Sequence, residues 1–175
     1  MRTCDRCGGP IDALARADAD YCSTRCRVAA HRARKRAQLP DELVDAPRWV
    51  RADGKRPITT SGTPASSTDA TTWSTYAAAR RSQAGDGLGV MLGAGLGCYD
   101  LDHVTDEQAA AFVRTVTERV LYVERSLSGN GVHVFVTAAE ERGWRRTLQL
   151  DGEPISVERY TRERFIRTTL ERLPI

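Results

Sequence analysis

The sequence predicts an α+β fold preceded by a small cysteine-rich module. Short apolar runs, typical of strands, follow one another with short connections over residues 88–99 and 121–136. Helical spacing is confined to a few segments between and before them. Four of the five cysteines lie within the first 26 residues. A length of 175 residues suits one domain of moderate size with a small module added.

Basic charge is concentrated at the N-terminal end. Residues 1–40 contain nine Lys or Arg against four Asp, whereas the rest of the chain contains seventeen against nineteen acidic residues. This distribution predicts a polyanionic partner for the N-terminal module. No apolar run approaches the roughly 20 residues of a membrane helix, and Cys and Arg occupy the N-terminus where a signal peptide would be apolar. We therefore expect a cytoplasmic protein without a membrane partner.

Four cysteines have the spacing of a zinc site. Cys4, Cys7, Cys22 and Cys26 form the pattern C-x2-C-x14-C-x3-C, in which a tight turn can hold each close pair. Clustered cysteines in a cytosolic chain favour a metal over disulfides. The pattern therefore predicts a structural Cys4 zinc site. His31 could replace one cysteine as a ligand, or it could lie on the exposed face of the helix that follows.

A basic helix is predicted after the second cysteine pair. Ser23 can cap it, and the pattern continues over residues 24–36. Its cations could bind nucleic-acid phosphates or could simply be solvated. These cations are Arg25, Arg27, Arg32, Arg34, Lys35 and Arg36. The module, residues 1–40, resembles a treble-clef or ribbon finger, and the metal would supply most of the folding free energy of so small a unit.

A linker at residues 38–42 leads to a second predicted domain, residues 45–175. This domain begins with a short strand at residues 47–50. A loop rich in Gly, Pro, Ser and Thr follows up to Thr68. A helix capped by Asp69 or Thr68 comes next, with Trp73 and Tyr76 on its spacing, either as core residues or as platforms for base stacking.

The rest of the second domain alternates strands with one helix. Runs at residues 88–92 and 96–99 predict a two-strand meander around Gly93-Ala94-Gly95. A capping box at residues 105–108 opens the helix. Further strands are predicted at residues 121–124, 132–136, 155–160 and 164–169.

Two acids, Asp100 and Asp102, end the second strand of the meander. Residues i and i+2 on a strand face the same side, so the carboxylates project together while Leu101 is buried. Carboxylates so placed repel each other unless a cation lies between them, and Mg²⁺ or Mn²⁺ takes such ligands. The alternative is a solvated pair at a strand end. Glu158, on a later strand, could complete a two-metal site, pair with an Arg on the neighbouring strand, or simply be solvated.

Candidate phosphate ligands accompany a Gly-rich loop at residues 126–131. Such a loop lets backbone amides approach an anion closely. His133, just beyond it, could donate to a triphosphate, or it could be a satisfied structural residue. Lys55 could bind phosphate or be solvated, and Arg164 could bind phosphate or pair with Glu163.

Six segments occur in an order that matches a known family. They are Trp49…Gly54-Lys55-Arg56-Pro57, Ser67-Thr68-Asp69…Trp73, Gly87-Leu88-Gly89-Val90, Asp100-Leu101-Asp102-His103, Val123-Glu124-Arg125-Ser126-x-Ser128-Gly129-x-Gly131-Val132-His133 and Val157-Glu158-x-Tyr160…Arg164-Phe165. The ordered set resembles the bifunctional DNA primase/polymerase domain over roughly residues 45–170. Such domains are primases of the archaeo-eukaryotic type, found on phages, plasmids and related mobile elements.

This resemblance implies an RNA-recognition-motif-like antiparallel sheet and a template-dependent nucleotidyltransferase. Asp100, Asp102 and Glu158 would be the catalytic residues and would bind Mg²⁺ or Mn²⁺. His133 would contact the phosphates of the incoming nucleotide. The family's second motif is often Ser-x-His, and because Gly131 holds the serine position here, Ser128 or backbone amides would take its place.

The implied activity is the addition of nucleotides to a nucleic-acid 3′ end during phage or mobile-element DNA replication in a bacterial host cell. The partners would be a DNA template and primer, nucleoside triphosphates and a separate replicative helicase. In the nucleotide site, Lys55 and Arg164 would join His133 and Ser128. Two other hypotheses also fit the residues. One is a catalytically silent zinc-dependent DNA-binding protein, and the other is a metal-dependent nuclease or D-x-D sugar-nucleotide transferase.

Overall fold

The computed structural model describes residues 2–37, 39–150 and 152–175, and of residues 31–37 it describes the backbone only. The chain divides into two compact units, Met1–Leu39 and Pro40–Ile175. The division falls in the stretch that the sequence predicts as a linker. Among the described residues, no helix combines the length and the apolar character needed to cross a bilayer.

The first unit is a loop region that carries the cysteines, followed by one helix, α1 (Thr24–Ala37). Ser23 Oγ accepts a hydrogen bond from the backbone N–H of Cys26 at 3.2 Å, so Ser23 caps α1 as predicted. The guanidinium of Arg2 donates to three successive carbonyls at residues 15–17. These bonds hold the loop that separates the two cysteine pairs.

The second unit is an α+β fold in which every strand pairing of the described residues is antiparallel. Its helices are α2 (Asp41–Val44), α3 (Tyr76–Arg81) and α4 (Asp106–Thr115). Its strands are β1 (Trp49–Asp53), β2 (Arg56–Ile58), β3 (Gly87–Met91), β4 (Leu96–Asp102), β5 (Val120–Arg125), β6 (Val132–Thr137), β7 (Trp144–Leu150), β8 (Glu153–Tyr160) and β9 (Phe165–Thr168).

The strands form two sheets, with the order β2-β1-β3-β9 in one and β5-β6-β4-β8-β7 in the other. The predicted meander is therefore wrong, because β3 and β4 belong to different sheets. Gly93, Ala94 and Gly95 all have positive φ (128°, 46° and 89°), which turns the chain away from a simple hairpin. The buried guanidinium of Arg48 donates to the carbonyl of Gly93 at 2.7 Å and fixes this turn.

The predicted helix after Asp69 is also wrong in part, because it is split in two. Asp69 caps a single 3-10 turn, Ala70–Thr72, and Thr75 starts α3 by accepting a hydrogen bond from the N–H of Ala78. Between them, Ser74 exchanges two backbone hydrogen bonds with Trp49 of β1. This pairing requires an extended backbone, which interrupts the helix. Strands β2 and β7 are not predicted by the sequence.

Helix α4 covers one face of the five-stranded sheet. Its N-terminus carries the predicted capping box, in which Thr105 and Gln108 each accept a hydrogen bond from the other's backbone N–H. Phe112 of α4 meets Tyr99 of β4 edge to face, with 5.3 Å between ring centroids. Leu101 is fully buried in the same cluster, as predicted. Since side chains alternate along β4, Asp100 and Asp102 project from the opposite face.

Candidate functional site

The structure brings the four N-terminal cysteines together. Their sulfur atoms all lie within 4.8 Å of one another. Cys22 Sγ is 3.6 Å from Sγ of both Cys7 and Cys26. Four sulfurs at a Zn–S distance of about 2.3 Å form a tetrahedron with edges of about 3.8 Å. Cys4, Cys7, Cys22 and Cys26 could therefore hold a zinc ion with little movement.

The surroundings of the cysteines favour metal binding. The backbone N–H of Cys22 is the main cause that lowers the pKa of the Cys4 thiol to about 6. Sharing of the Cys22 proton with Cys26 and Cys7 raises the pKa of Cys22 to about 12. A metal replaces such shared protons, so zinc affinity should fall as the pH is lowered. Cys4 and Ile11 are the only buried apolar side chains described in this unit, so a bound metal would supply most of its stability.

The basic helix is described in part. Arg25 and Arg27 lie on α1 with exposed side chains. The remaining predicted phosphate ligands lie outside the described side chains, as does His31, the alternative zinc ligand. These are Arg32, Arg34, Lys35 and Arg36.

A row of ionisable side chains crosses the face of the five-stranded sheet opposite α4. Asp100 pairs directly with His133 on β6 and with Glu158 on β8, and directly paired residues of antiparallel strands project to the same side. His133 pairs in turn with Glu124 on β5, and Glu158 pairs with Arg145 on β7. In order across the sheet, this charged row is Glu124, His133, Asp100, Glu158 and Arg145.

His133 uses its two ring nitrogens differently. Nδ1 lies 3.0 Å from Oε1 of Glu124, whereas Nε2 lies 3.7 Å from Oδ1 of Asp100. The residue is 7% exposed and lines a cleft in front of the charged row. The two interpretations of His133 are therefore compatible, because the satisfied structural contact occupies one nitrogen and leaves the other facing Asp100.

Glu158 lies beside Asp100 and has partners of its own. Its Oε1 is 3.3 Å from an amino group of Arg145, so the pairing with an Arg on the neighbouring strand is present. The hydroxyl of Tyr160 donates to Oε2. Burial, together with this hydrogen bond, raises the pKa of Tyr160, which keeps the hydroxyl protonated and donating.

Asp100 is under electrostatic strain at the centre of the charged row. Burial is the main cause that raises its pKa, and the negative charges of Asp102 and Glu158 raise it further, while His133 and Arg164 act in the opposite direction. A cation at this edge would offset that repulsion. Among the described residues, however, the four cysteines alone have three or more donor atoms all within 4.8 Å of one another.

The cleft in front of the charged row has a volume of about 870 Å³. The five-stranded sheet contributes Asp100, Asp102 and His133 to its lining, and Ser128 comes from the loop between β5 and β6. The four-stranded sheet and its adjoining turns contribute cations from the turn before β2, from the residue before β9 and from β9 itself. These cations are Lys55 and Arg164, together with Arg167 on β9.

Glu158 does not line the cleft, but it pairs directly with Asp100, which does. Arg164 stacks over the ring of Tyr160, at 4.2 Å from the ring centroid, and no ion pair with Glu163 occurs among the described residues. Sequence reasoning missed two residues of this region, Glu124 and Arg167. An acid directly after the apolar run at residues 120–123, on the same strand, is a signal for Glu124, since a buried acid needs a partner.

Gly131 fits a place that no larger residue can occupy without a shift. A Cβ at this position would lie 2.6 Å from the carbonyl oxygen of Leu101 and 2.8 Å from Oγ of Ser126. The N–H of Gly131 donates to the same Oγ at 3.1 Å, and Ser126 and Ser128 contact each other at 3.2 Å. The close approach of the loop to β4 explains why glycine stands where the resemblance would place serine.

Replacing Gly131 by Ala should therefore destabilise the second unit by about 1–3 kcal/mol, the usual cost of adding a methyl group to a packed site. Urea unfolding followed by circular dichroism measures the change. Asn130→Ala, in the same loop and exposed, is the matched control and should change stability by less than about 0.5 kcal/mol. Equal stability of both variants would show that the loop is free to move off β4.

Comparison with protein-family models and a search of the curated proteins each give no match to this chain. Fold and site define it as a two-unit protein with a Cys4 cluster able to hold zinc. Its α+β second unit carries acids and cations around one cleft.

Proposed function

We propose that the second unit is a DNA primase/polymerase-type nucleotidyltransferase, and that the first unit is a zinc-stabilised element that engages DNA. The observation that supports this most is the strand register. Asp100, His133 and Glu158 are far apart in sequence, yet they lie directly opposite one another on three adjacent strands. Acids and an imidazole at one edge of a nucleotide-sized cleft suit phosphoryl-transfer chemistry.

Asp100, Asp102 and Glu158 would hold Mg²⁺ or Mn²⁺ in this proposal. The donor set is chemically suitable, because it consists of hard carboxylate oxygens. Burial is the main cause that raises the pKa of Asp100, and Asp102 and Glu158 raise it further, which indicates repulsion that a divalent cation would offset. When bound, such ions lower the pKa of an attacking hydroxyl and stabilise the charge of a leaving pyrophosphate.

The other cleft residues would bind and orient the nucleotide. Lys55, in the turn before β2, and Arg164, just before β9, line the same cleft as the acids, so a triphosphate there would meet cations as well as the acidic metal ligands. His133 and Ser128 line the same cleft. The Ser128 hydroxyl could donate to the nucleotide, and Nε2 of His133 could donate to a phosphate when both ring nitrogens carry a proton. Catalysis would then come mainly from positioning and electrostatics.

A second candidate is a catalytically silent DNA-binding protein of the same architecture. Two observations favour it: Glu158 is held by Arg145 and Tyr160, and the three carboxylates lack the close donor spacing seen in the cysteines. In that case the exposed Arg25 and Arg27 of α1 would contribute salt-sensitive DNA binding, with no polymerisation.

A primed DNA template incubated with labelled nucleotides separates these functions. The nucleotidyltransferase should extend the primer with deoxynucleoside or ribonucleoside triphosphates in the presence of Mg²⁺ or Mn²⁺ and should stop when the metal is chelated. Salt-sensitive binding without extension, lost in an R25E/R27E double variant, would favour the silent protein. Shortening of the primer would indicate a nuclease instead. In the replication setting that we propose, a phage or mobile element in the bacterial cytoplasm, a separate helicase would supply the single strand.

A further inference from the structure

We propose that Glu124 is a positioning residue for His133, which fixes the imidazole so that Nε2 faces the cleft. The inference rests on the proposed function, because that function gives His133 its role as a phosphate ligand. The Glu124 side chain is fully buried, and both of its carboxylate oxygens accept a hydrogen bond. Oε1 accepts from Nδ1 of His133 and Oε2 accepts from the backbone N–H of Leu170, each at 3.0 Å.

The segment after β9 covers Glu124 on the side of strand β5. It runs alongside β5, where Arg125 N–H donates to the carbonyl of Glu171 at 3.0 Å and Leu173 N–H donates to that of Val123 at 2.9 Å. A buried carboxylate is costly unless it is hydrogen-bonded, so Glu124 needs both of its donors. Nδ1 of His133 donates to Oε1 of Glu124, so Nε2 is the nitrogen that is available to a ligand.

A carboxylate is the one side chain of this size that satisfies both donors. In Glu124→Gln, the side chain has a single acceptor oxygen. Its amide group then faces either the N–H of Leu170, which places donor against donor, or Nδ1 of His133, which excludes a proton from Nδ1 and so prevents both ring nitrogens from donating at once. The substitution changes shape very little, so its effect reports on the hydrogen bonds. Loss of a residue that orients a functional histidine typically lowers activity by about 10- to 100-fold.

The kinetic test compares wild type, E124Q, H133Q and the E124Q/H133Q double variant in primer extension. We expect E124Q to raise KM for the incoming nucleotide more than it lowers kcat and to reduce kcat/KM by about 10- to 100-fold. Because Glu124 acts through His133, E124Q should have no further effect in the H133Q background. An equal loss in both backgrounds would overturn the inference and assign Glu124 to the fold alone.

Glu118→Gln is the matched control. Glu118, between α4 and β5, is also a carboxylate that accepts hydrogen bonds, here from Tyr99 and Arg159. Neither of these two donors belongs to the charged row. It should destabilise the protein without changing KM. A change in KM equal to that of E124Q would show that general loosening, rather than ring orientation, is measured.

Proton NMR provides a readout that does not depend on activity. The Nδ1 proton of His133 lies between two buried groups, so it should give a slowly exchanging imidazole signal that disappears in H133Q. We expect E124Q to remove or shift this signal and E118Q to leave it in place. If wild type fails to extend a primer, the proposed function is wrong and this spectrum decides the positioning role by itself. If E124Q fails to fold, absence of the signal from wild type overturns the inference.

Discussion

Replacing Asp100 by Asn should abolish primer extension while leaving the fold intact. Asp100 lies at the centre of the charged row, with His133 on one side and Glu158 on the other. We therefore expect its carboxylate to be a central ligand of a bound cation. Removing one group that stabilises transition-state charge typically lowers kcat by about 10²- to 10³-fold. Steady-state extension of a labelled primer measures the loss.

The stability of the same variant provides an independent check. Burial is the main cause that raises the pKa of Asp100, so its ionisation at neutral pH destabilises the folded state. The asparagine side chain in D100N has no charge to desolvate, so this variant should unfold at an equal or higher urea concentration at pH 7. The advantage should vanish as the pH falls below the ordinary carboxyl pKa of 3.8, where both side chains are neutral.

Glu153→Gln is the control for D100N, because it removes one negative charge from the exposed end of strand β8. It should leave extension unchanged. Full activity of D100N in Mg²⁺ and in Mn²⁺ would contradict the assignment of the acids. Loss of activity together with a lower unfolding midpoint would attribute the effect to misfolding instead.

Replacing Cys22 by Ala should unfold the first unit while the second keeps its structure. Cys22 Sγ contacts the sulfurs of both Cys7 and Cys26, so its loss opens the centre of the cluster. Structural zinc contributes about 10–16 kcal/mol in small zinc domains, far more than the few buried apolar side chains of this unit can replace. The chain divides into compact units at residues 39 and 40, so the two should respond separately.

Zinc analysis and a ¹H–¹⁵N spectrum measure this outcome. The variant should bind less than one zinc per chain, and the dispersed signals of the first unit should collapse while those of residues 40–175 persist. Cys98→Ala is the control, because Cys98 is buried in the second unit and is not one of the four clustered cysteines. It should keep its zinc. Full zinc content in the Cys22 variant would point to His31 as a replacement ligand.

Features set by neighbouring residues could be predicted from the sequence. The cysteine spacing, the caps at Ser23 and Thr105, and the burial of Leu101 between two outward-facing acids each depend on a few consecutive residues. The approximate positions of β4, β5, β6 and β8 follow from apolar runs in the same way. These predictions succeed because local conformation decides them.

Features set by distant pairing could not be predicted. Positive φ at Ala94 helps send β3 and β4 to different sheets, and nothing in an alanine indicates it. Strand β7 has an exposed, mostly polar face, and its existence depends on β8 beside it. The register that places Glu124 opposite His133 is also a property of the assembled sheet. The partners of each acid therefore become visible only in three dimensions.

The two outer strands of the five-stranded sheet are protected from intermolecular pairing in different ways. An uncovered strand edge offers a row of free amides and carbonyls on which another chain can add, the first step toward aggregation. On one side, the closing segment, residues 171–173, occupies the backbone groups of β5. On the other side, β7 carries the exposed Arg145 and Arg146, whose charges repel a second copy of the same edge. This sheet therefore disfavours fibril-like growth at both ends and keeps the charged face available to ligands.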